Sequence, residues 1–96
     1  MYRDILGKKC IVRSHDAGVY FGTVTNVEGE TVRVENVRNI WQWEGANCLS
    51  QIANEGIRDG KVSQIVSSMV LNHCSQIIPC TEKAIKNLES QRIWEF

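Results

Sequence analysis

The 96-residue chain has few of the features that mark several functional classes. It has a single proline and two histidines. It also lacks any long apolar run, so the sequence predicts neither a membrane span nor a signal peptide. Eleven basic and eleven acidic residues balance to a net charge of zero. Because a protein that binds duplex nucleic acid usually presents a basic face, this balance argues against such a partner.

Cysteine is present four times, but no two cysteines have the C-x-x-C spacing of a zinc or thioredoxin-type site. No metal or cofactor is therefore predicted. Each cysteine has apolar neighbours, which predicts small buried core residues and a reducing cytosol: Cys10, Cys48, Cys74 and Cys80.

No catalytic motif is visible. A nucleophile needs a base nearby, and Cys10 or Cys80 combined with His15 or His73 has no local signature to support it. His73 is predicted to be a structural residue in an apolar strand. The glycines are scattered and form no phosphate-binding loop. The sequence therefore predicts a protein that binds a partner and is not an enzyme.

The chain length fits one domain, residues 1–96, with 43% hydrophobic and 23% charged residues. β-Branched and alternating patterns predict strands at 9–13, 19–25, 31–35 and 38–43, and two more within 62–78 that end at Pro79. Asn47 is predicted to cap a helix that ends at residue 55, and Thr81 a helix over 82–89. The predicted fold is α+β, a small bent antiparallel sheet with two short helices.

Two further stretches lie outside these elements. Residues 58–61 are predicted to form an exposed turn, and residues 93–96 an apolar tail that docks on its own sheet or on a neighbouring subunit. A core this small gains from additional contacts, so we expect a homo-oligomer.

The segment 38–43 is the strongest candidate for function. Trp41 and Trp43 share one face of the predicted strand, and Arg38 lies on the other. Two interpretations stay open: core aromatics, which composition favours, or a stacking platform for a base with the arginine on phosphate.

Several ordered strings resemble a family of small phage proteins. They are GKKCIVRS at 7–14, AGVYFG at 17–22, RNIWQW at 38–43, and IIPCTEKAI at 77–85. With GA at 45–46 and LSQ at 49–51, the set is similar to the first-described family of Thoeris anti-defence proteins. The resemblance covers nearly the whole chain and departs from the family at 58–66, which is shorter here.

This resemblance implies a phage or prophage protein that acts in the cytoplasm of an infected bacterium. Members of the family sequester cyclic ADP-ribose isomers made by TIR-domain enzymes and do not cleave them. Some also bind cyclic di- or trinucleotides from cGAS-like enzymes of CBASS defence. The family assembles as dimers arranged into hexamers, with pockets at subunit interfaces.

The resemblance also implies two sets of site residues. Ala17 and Arg38 match the cyclic-oligonucleotide site, where three copies of the arginine would meet three phosphates around a symmetry axis. Lys9, where an arginine is expected, and Arg92 are candidate phosphate contacts for cyclic ADP-ribose, with Asn72 on the base. The alternative function is a protein-interaction or inhibitor module with no small ligand, docking through residues 94–96.

Overall fold

A computed structural model of the chain describes residues 2–94. A short 3-10 turn, Tyr2–Asp4, comes first. The remaining elements are β1 (Lys9–Ser14), β2 (Gly18–Glu28), β3 (Thr31–Glu44), α1 (Leu49–Glu55), β4 (Asp59–Val62), β5 (Val66–Leu71), β6 (Cys74–Pro79) and α2 (Glu82–Glu89).

The strands form one bent antiparallel sheet in the order β4-β3-β2-β1-β6, with β5 paired to the first half of β3. The second half of β3 pairs with β4, so this one strand supports both ends of the fold. The predicted α+β class with a bent antiparallel sheet and two helices is confirmed. The prediction of an exposed turn at 58–61 is wrong, because residues 59–62 pair with β3 as a strand.

Each face of the sheet packs against its own hydrophobic core. The strand core lies on one face and consists mainly of small or branched side chains together with one tyrosine: Cys10, Val12, Tyr20, Val24, Val32, Val34, Val37 and Leu71. The helix core lies on the other face, under both helices: Ile11, Phe21, Ile40, Ile52, Ala53, Ile57, Val62 and Leu88. Alternate residues of β1 enter opposite cores, as the two-residue period of a strand requires.

The long strand β3 changes its inward face at Asn36. This residue has φ 51°, a left-handed conformation that asparagine tolerates better than most residues. Pairing with β2 shifts by one residue between Thr23–Glu35 and Phe21–Arg38, so β3 contains a bulge. The two strands predicted over 31–43 are therefore one bulged strand, and after the bulge Val37 faces the strand core while Ile40 faces the helix core.

The two helices begin differently, since a side chain caps the start of α2 but not that of α1. The hydroxyl of Thr81 accepts a hydrogen bond from the Ala84 amide, 3.2 Å away, which confirms the predicted cap of α2. The cap of α1 is Cys48 and not Asn47, one residue later than predicted. α2 is tied to the chain after α1 by Asn87, whose side-chain amide accepts from the Ile57 amide and donates to its carbonyl at 2.8 and 2.7 Å.

The chain after α2 returns to the sheet. Ile93 forms a parallel bridge with Val62, and the Trp94 amide donates to the Val62 carbonyl at 2.9 Å. The tail is predicted to dock either on its own sheet or on a neighbouring subunit, and residues 93–94 contact the chain's own sheet. Glu95 and Phe96 lie outside the described residues. Within residues 2–94, no helix has the length and apolar character needed to cross a membrane.

Candidate functional sites

A groove of about 410 Å³ opens between β3, β4 and the segment after α2; we call it the tryptophan groove. It is lined by Gln42, Trp43, Glu44, Asp59, Gly60, Lys61, Arg92, Ile93 and Trp94. Gly60 allows the close approach of the two strands here, since a Cβ would lie 2.4 Å from the Gln42 carbonyl. The groove therefore exists because β4 packs tightly beside β3 and the returning segment forms the opposite wall.

Two indole rings stand in this groove. Trp43 is half-buried, and its ring nitrogen donates to the Ala46 carbonyl at 3.3 Å, which fixes the ring against the turn after β3. Trp94 is 41% exposed and lies under the Lys61 ammonium, 4.5 Å from the ring centroid. Each indole thus has one defined polar contact: the Trp43 ring nitrogen is hydrogen-bonded, and an ammonium group covers one face of Trp94.

The charges of the groove are mixed. Lys61 and Arg92 bring two cations, while Glu44 and Asp59 bring two carboxylates. Glu44 also pairs with Arg58 at 3.5 Å, an exposed contact that draws part of its charge away from the groove. The arrangement suits a ligand with a planar group and a limited number of anionic groups.

A second cavity of about 240 Å³, the arginine pocket, lies between β2, β3 and the end of α2. It is lined by Lys9, Phe21, Gly22, Thr23, Asn36, Arg38, Ile65 and Glu89. Its central residue, Arg38, is only 4% exposed. Burial lowers the pKa of the Arg38 guanidinium, because a charge loses water contact there.

Arg38 is first of all a structural residue. Its Nε donates to the Ser63 carbonyl and its Nη1 to the Leu88 carbonyl, both at 2.9 Å, and Nη1 lies 3.5 Å from the Glu89 carbonyl. A cation bound to the last carbonyls of α2 also complements the helix dipole. Nη2 makes no hydrogen bond within residues 2–94, and Lys9 forms an ion pair with Glu89.

A third group of polar residues lies where the β1–β2 and β5–β6 turns meet. The Ser14 hydroxyl, only 2% exposed, donates to the Asn72 carbonyl at 2.6 Å and accepts from the Ala17 amide at 3.3 Å. His73 Nδ1 and the Asp16 carboxylate form an exposed hydrogen bond between the same turns. The prediction that His73 belongs to an apolar strand is wrong, since it has φ 53° and lies in the turn.

Comparison with known proteins places the chain in one family. The family described as Domain of unknown function (DUF6948) matches residues 7–88. The chain belongs to this family. No curated protein and no solved structure matches it. The match to the DUF6948 domain covers the sheet and nearly all of α2, while Arg92 and Trp94 of the tryptophan groove lie beyond it.

The DUF6948 fold separates the seven predicted site residues into three groups and one single residue. Lys9 lies with Arg38 in the arginine pocket, Trp43 with Arg92 in the tryptophan groove, and Ala17 with Asn72 at the turns. Neither predicted set, Ala17 with Arg38 or Lys9 with Arg92 and Asn72, shares one cavity among those found within the described chain.

Trp41 stands apart. It lies in a second irregularity of β3, where pairing with β4 shifts between Ile40 and Gln42, and it is 49% exposed. The core interpretation that composition favoured is therefore wrong for Trp41, whereas Trp43 is half-buried against the helix core and also lines the groove. Sequence reasoning assigned Trp94 only to the docking tail of the alternative function and did not select Lys61, which no feature of the sequence marks.

The four cysteines of this DUF6948 chain differ from one another. Cys10 is fully buried, Cys74 and Cys80 are half-buried and Cys48 is exposed, so the prediction of four buried cysteines is wrong for Cys48. Burial raises the pKa of the Cys10 thiol to about 11, and burial with the nearby Cys10 raises that of Cys80 to about 12. No cluster of His, Cys, Asp and Glu that could hold a metal occurs within residues 2–94.

Proposed function

We propose that this protein is a phage counter-defence sponge in the cytoplasm of the bacterial host. It binds and sequesters cyclic nucleotide immune signals, cyclic ADP-ribose isomers, cyclic di- or trinucleotides, or both, without cleaving them. The observation that carries the proposal is the tryptophan groove, where two indole faces and two cations line one cavity.

The groove supplies the interactions that a nucleotide needs. Stacking of a base on an aromatic side chain contributes roughly 1–3 kcal/mol, and it works for any base because every base has a π face. Arg92 supplies a planar donor for phosphate, and Lys61 a point charge beside Trp94. A volume of about 410 Å³ lies within the usual range of small-ligand sites.

The arginine pocket supports a second site for cyclic oligonucleotides. Three of the hydrogen bonds of Arg38 hold its guanidinium in place, so Nη2 is already oriented before any phosphate arrives. In the proposed homo-oligomer, dimers arranged into a hexamer, copies of this group would meet the phosphates of a cyclic ligand. The pocket therefore offers a fixed donor, with Lys9 as a second cation.

Binding without turnover fits the chemistry of the side chains. At neutral pH the raised pKa values keep the Cys10 and Cys80 thiols protonated, and a thiol attacks far less readily than a thiolate. His73 is engaged with Asp16, at a turn shared with Ala17 and Asn72 and away from both cavities. A protein that must retain its ligand has no use for a poised nucleophile.

The test is thermal unfolding with a panel of cyclic ADP-ribose isomers and cyclic di- and trinucleotides, followed by heat release and chromatography of the ligand. A ligand present at about a hundred times its Kd adds roughly 2.7 kcal/mol to the free energy of unfolding. We expect a large shift in Tm with at least one ligand, recovered intact. Degraded ligand would indicate an enzyme, and no shift across the panel would contradict the proposal.

Two variants on the same strand locate the ligand. Trp43→Ala removes an indole from the groove, whereas Trp41→Ala removes an exposed indole that does not line it. We expect Trp43→Ala to abolish most of the ligand-induced shift and Trp41→Ala to leave it unchanged. Equal effects of the two variants would show that the groove is not the binding site.

One observation favours a second candidate, a protein-interaction or inhibitor module with no small ligand. Ile93 is 51% and Trp94 is 41% exposed, although both lie against the sheet through backbone contacts. Exposed apolar side chains on an ordered segment suit a protein partner. This function predicts no nucleotide effect on Tm, and loss of the partner on Trp94→Ala.

A further inference from the structure

The strand β5 leaves one of its edges without a partner. It pairs with β3 along one side, and within residues 2–94 its other side takes part in no strand pairing. Three branched side chains here are exposed: Ile65 by 61%, Val66 by 38% and Val70 by 53%. An edge of this kind presents unpaired amides and carbonyls beside apolar side chains, which is a template for adding another strand.

The sequence of this edge lacks the usual protection. All six residues of β5, Val66–Leu71, are uncharged, and none is proline or glycine. Soluble proteins commonly protect such an edge with lysine, proline, a bulge or a covering segment. Six consecutive uncharged residues on a chain with 23% charged residues indicate an edge that is covered in the working protein.

The edge is complementary to itself. If two copies pair antiparallel about a twofold axis at Ser68, Val66 of each copy lies opposite Val70 of the other, and Ser67 lies opposite Met69. Val66 and Val70, both exposed, would thus cover each other, and the axis would bring together two hydroxyls and no charges. Branched pairs and serine pairs are favourable across antiparallel strands, and like charges opposite each other are not.

We propose that β5 is the dimer interface of this protein, and that its occupant is β5 of a second copy. The two sheets then continue into one another across the twofold axis, an isologous contact as closed dimers require. The inference rests on the proposed homo-oligomer and names its contact surface. It does not require that a nucleotide binds.

Cross-linking tests the register. In a Cys48→Ser background, which removes the exposed native thiol, Ser68→Cys would place two thiols opposite each other at the axis. Facing residues of antiparallel strands have Cα atoms about 4.5–5.5 Å apart, a separation that a disulfide spans. We expect a covalent dimer under mild oxidation. The matched control Ser67→Cys, one residue away and also exposed, should cross-link much less.

Charge tests the interface itself. Ser68→Lys would set two ammonium groups against each other at the axis, so we expect a dimer seen by light scattering to become a monomer with unchanged circular dichroism. Ser75→Lys, on the exposed part of β6, should leave the dimer intact. A wild-type monomer throughout a dilution series, or a dimer that neither cross-links through Ser68→Cys nor responds to Ser68→Lys, would overturn the proposal.

The nucleotide panel separates this inference from the proposed function. If the β5 dimer is absent and nucleotides still raise Tm, only the interface assignment fails. If Ser68→Lys gives a monomer and no nucleotide shifts the wild-type protein, the interface stands and the sponge function fails.

Discussion

The tryptophan groove and the arginine pocket are built in opposite ways. In the pocket the central cation is buried, and three main-chain carbonyls hold it, two at the end of α2 and one at Ser63. In the groove the cations Lys61 and Arg92 sit on partly exposed side chains, and the walls come from β3, β4 and the returning segment. The cation of the pocket is tied to the main chain, whereas within residues 2–94 the side chains of the two groove cations make no hydrogen bond to it.

This difference determines what each substitution reports. A change at Arg38 alters the fold and any ligand together, because the same guanidinium serves both. A change at Arg92 alters little besides the groove. Binding data for the two cavities are therefore comparable only when the stability of each variant is measured beside them.

The largest effect is expected for Arg38→Ala. It leaves the carbonyls of Ser63 and Leu88 without their donor, and buried unsatisfied groups cost about 1–3 kcal/mol each. We expect urea unfolding to show a loss of roughly 3 kcal/mol. Arg33→Ala, an exposed residue of the same strand, is the control and should change stability by less than about 0.5 kcal/mol.

The lower stability expected for Arg38→Ala also affects the test of ligand binding in the arginine pocket. Loss of cyclic-oligonucleotide binding in Arg38→Ala counts only at a temperature where the variant is still folded. A variant as stable as the wild type would contradict the structural role, and would remove the contrast between the two cavities.

An intermediate effect is expected for Arg92→Ala. The side chain is exposed, so unfolding should be unchanged, while loss of a charge-assisted phosphate contact of about 1.5–3 kcal/mol weakens nucleotide binding roughly tenfold or more. Calorimetric titration of the ligand found in the panel measures this. Arg33→Ala makes the same charge change on another surface, and an equal loss of affinity there would mean that overall charge, not the groove, attracts the ligand.

The smallest effect is expected for Glu89→Gln in the arginine pocket. It removes the carboxylate that pairs with Lys9, a partly exposed ion pair, so stability should change by no more than about 0.5 kcal/mol. The freed ammonium should strengthen binding of cyclic oligonucleotides in the titration. Weaker binding instead would show that the pair orients Lys9 for the ligand.

Much of the fold could be predicted from local patterns. The β-branched alternation gave the strands around Val32 and Val34, and Thr81 ahead of an amphipathic stretch gave α2 and its cap. Residues 59–62 could not be assigned in this way. Their sequence, Asp-Gly-Lys-Val, has turn composition, and they become a strand because β3 offers an edge beside them.

The candidate sites were less predictable because they depend on tertiary contacts. Arg38 and Trp43 could be selected as unusual residues, but whether each is buried follows from where α2 ends and where β3 bulges. Lys61 is part of the candidate site because the segment after α2 returns and brings Trp94 under its ammonium group. The spacing of residues along β3 cannot show that the segment after α2 forms the opposite side of the tryptophan groove.

The left-handed residue Asn36 has a consequence for how this protein can evolve. Because side chains alternate along a strand, the extra residue exchanges the inward and outward positions from Val37 to Ile40, and the second irregularity of β3, between Ile40 and Gln42, ends this stretch. A substitution at Glu35 keeps this alternation, whereas deletion of Asn36 would move the guanidinium of Arg38 to the face of the strand core, away from the Ser63 and Leu88 carbonyls. The length of this stretch therefore decides which side of the sheet Arg38 reaches, and with it where the arginine pocket lies.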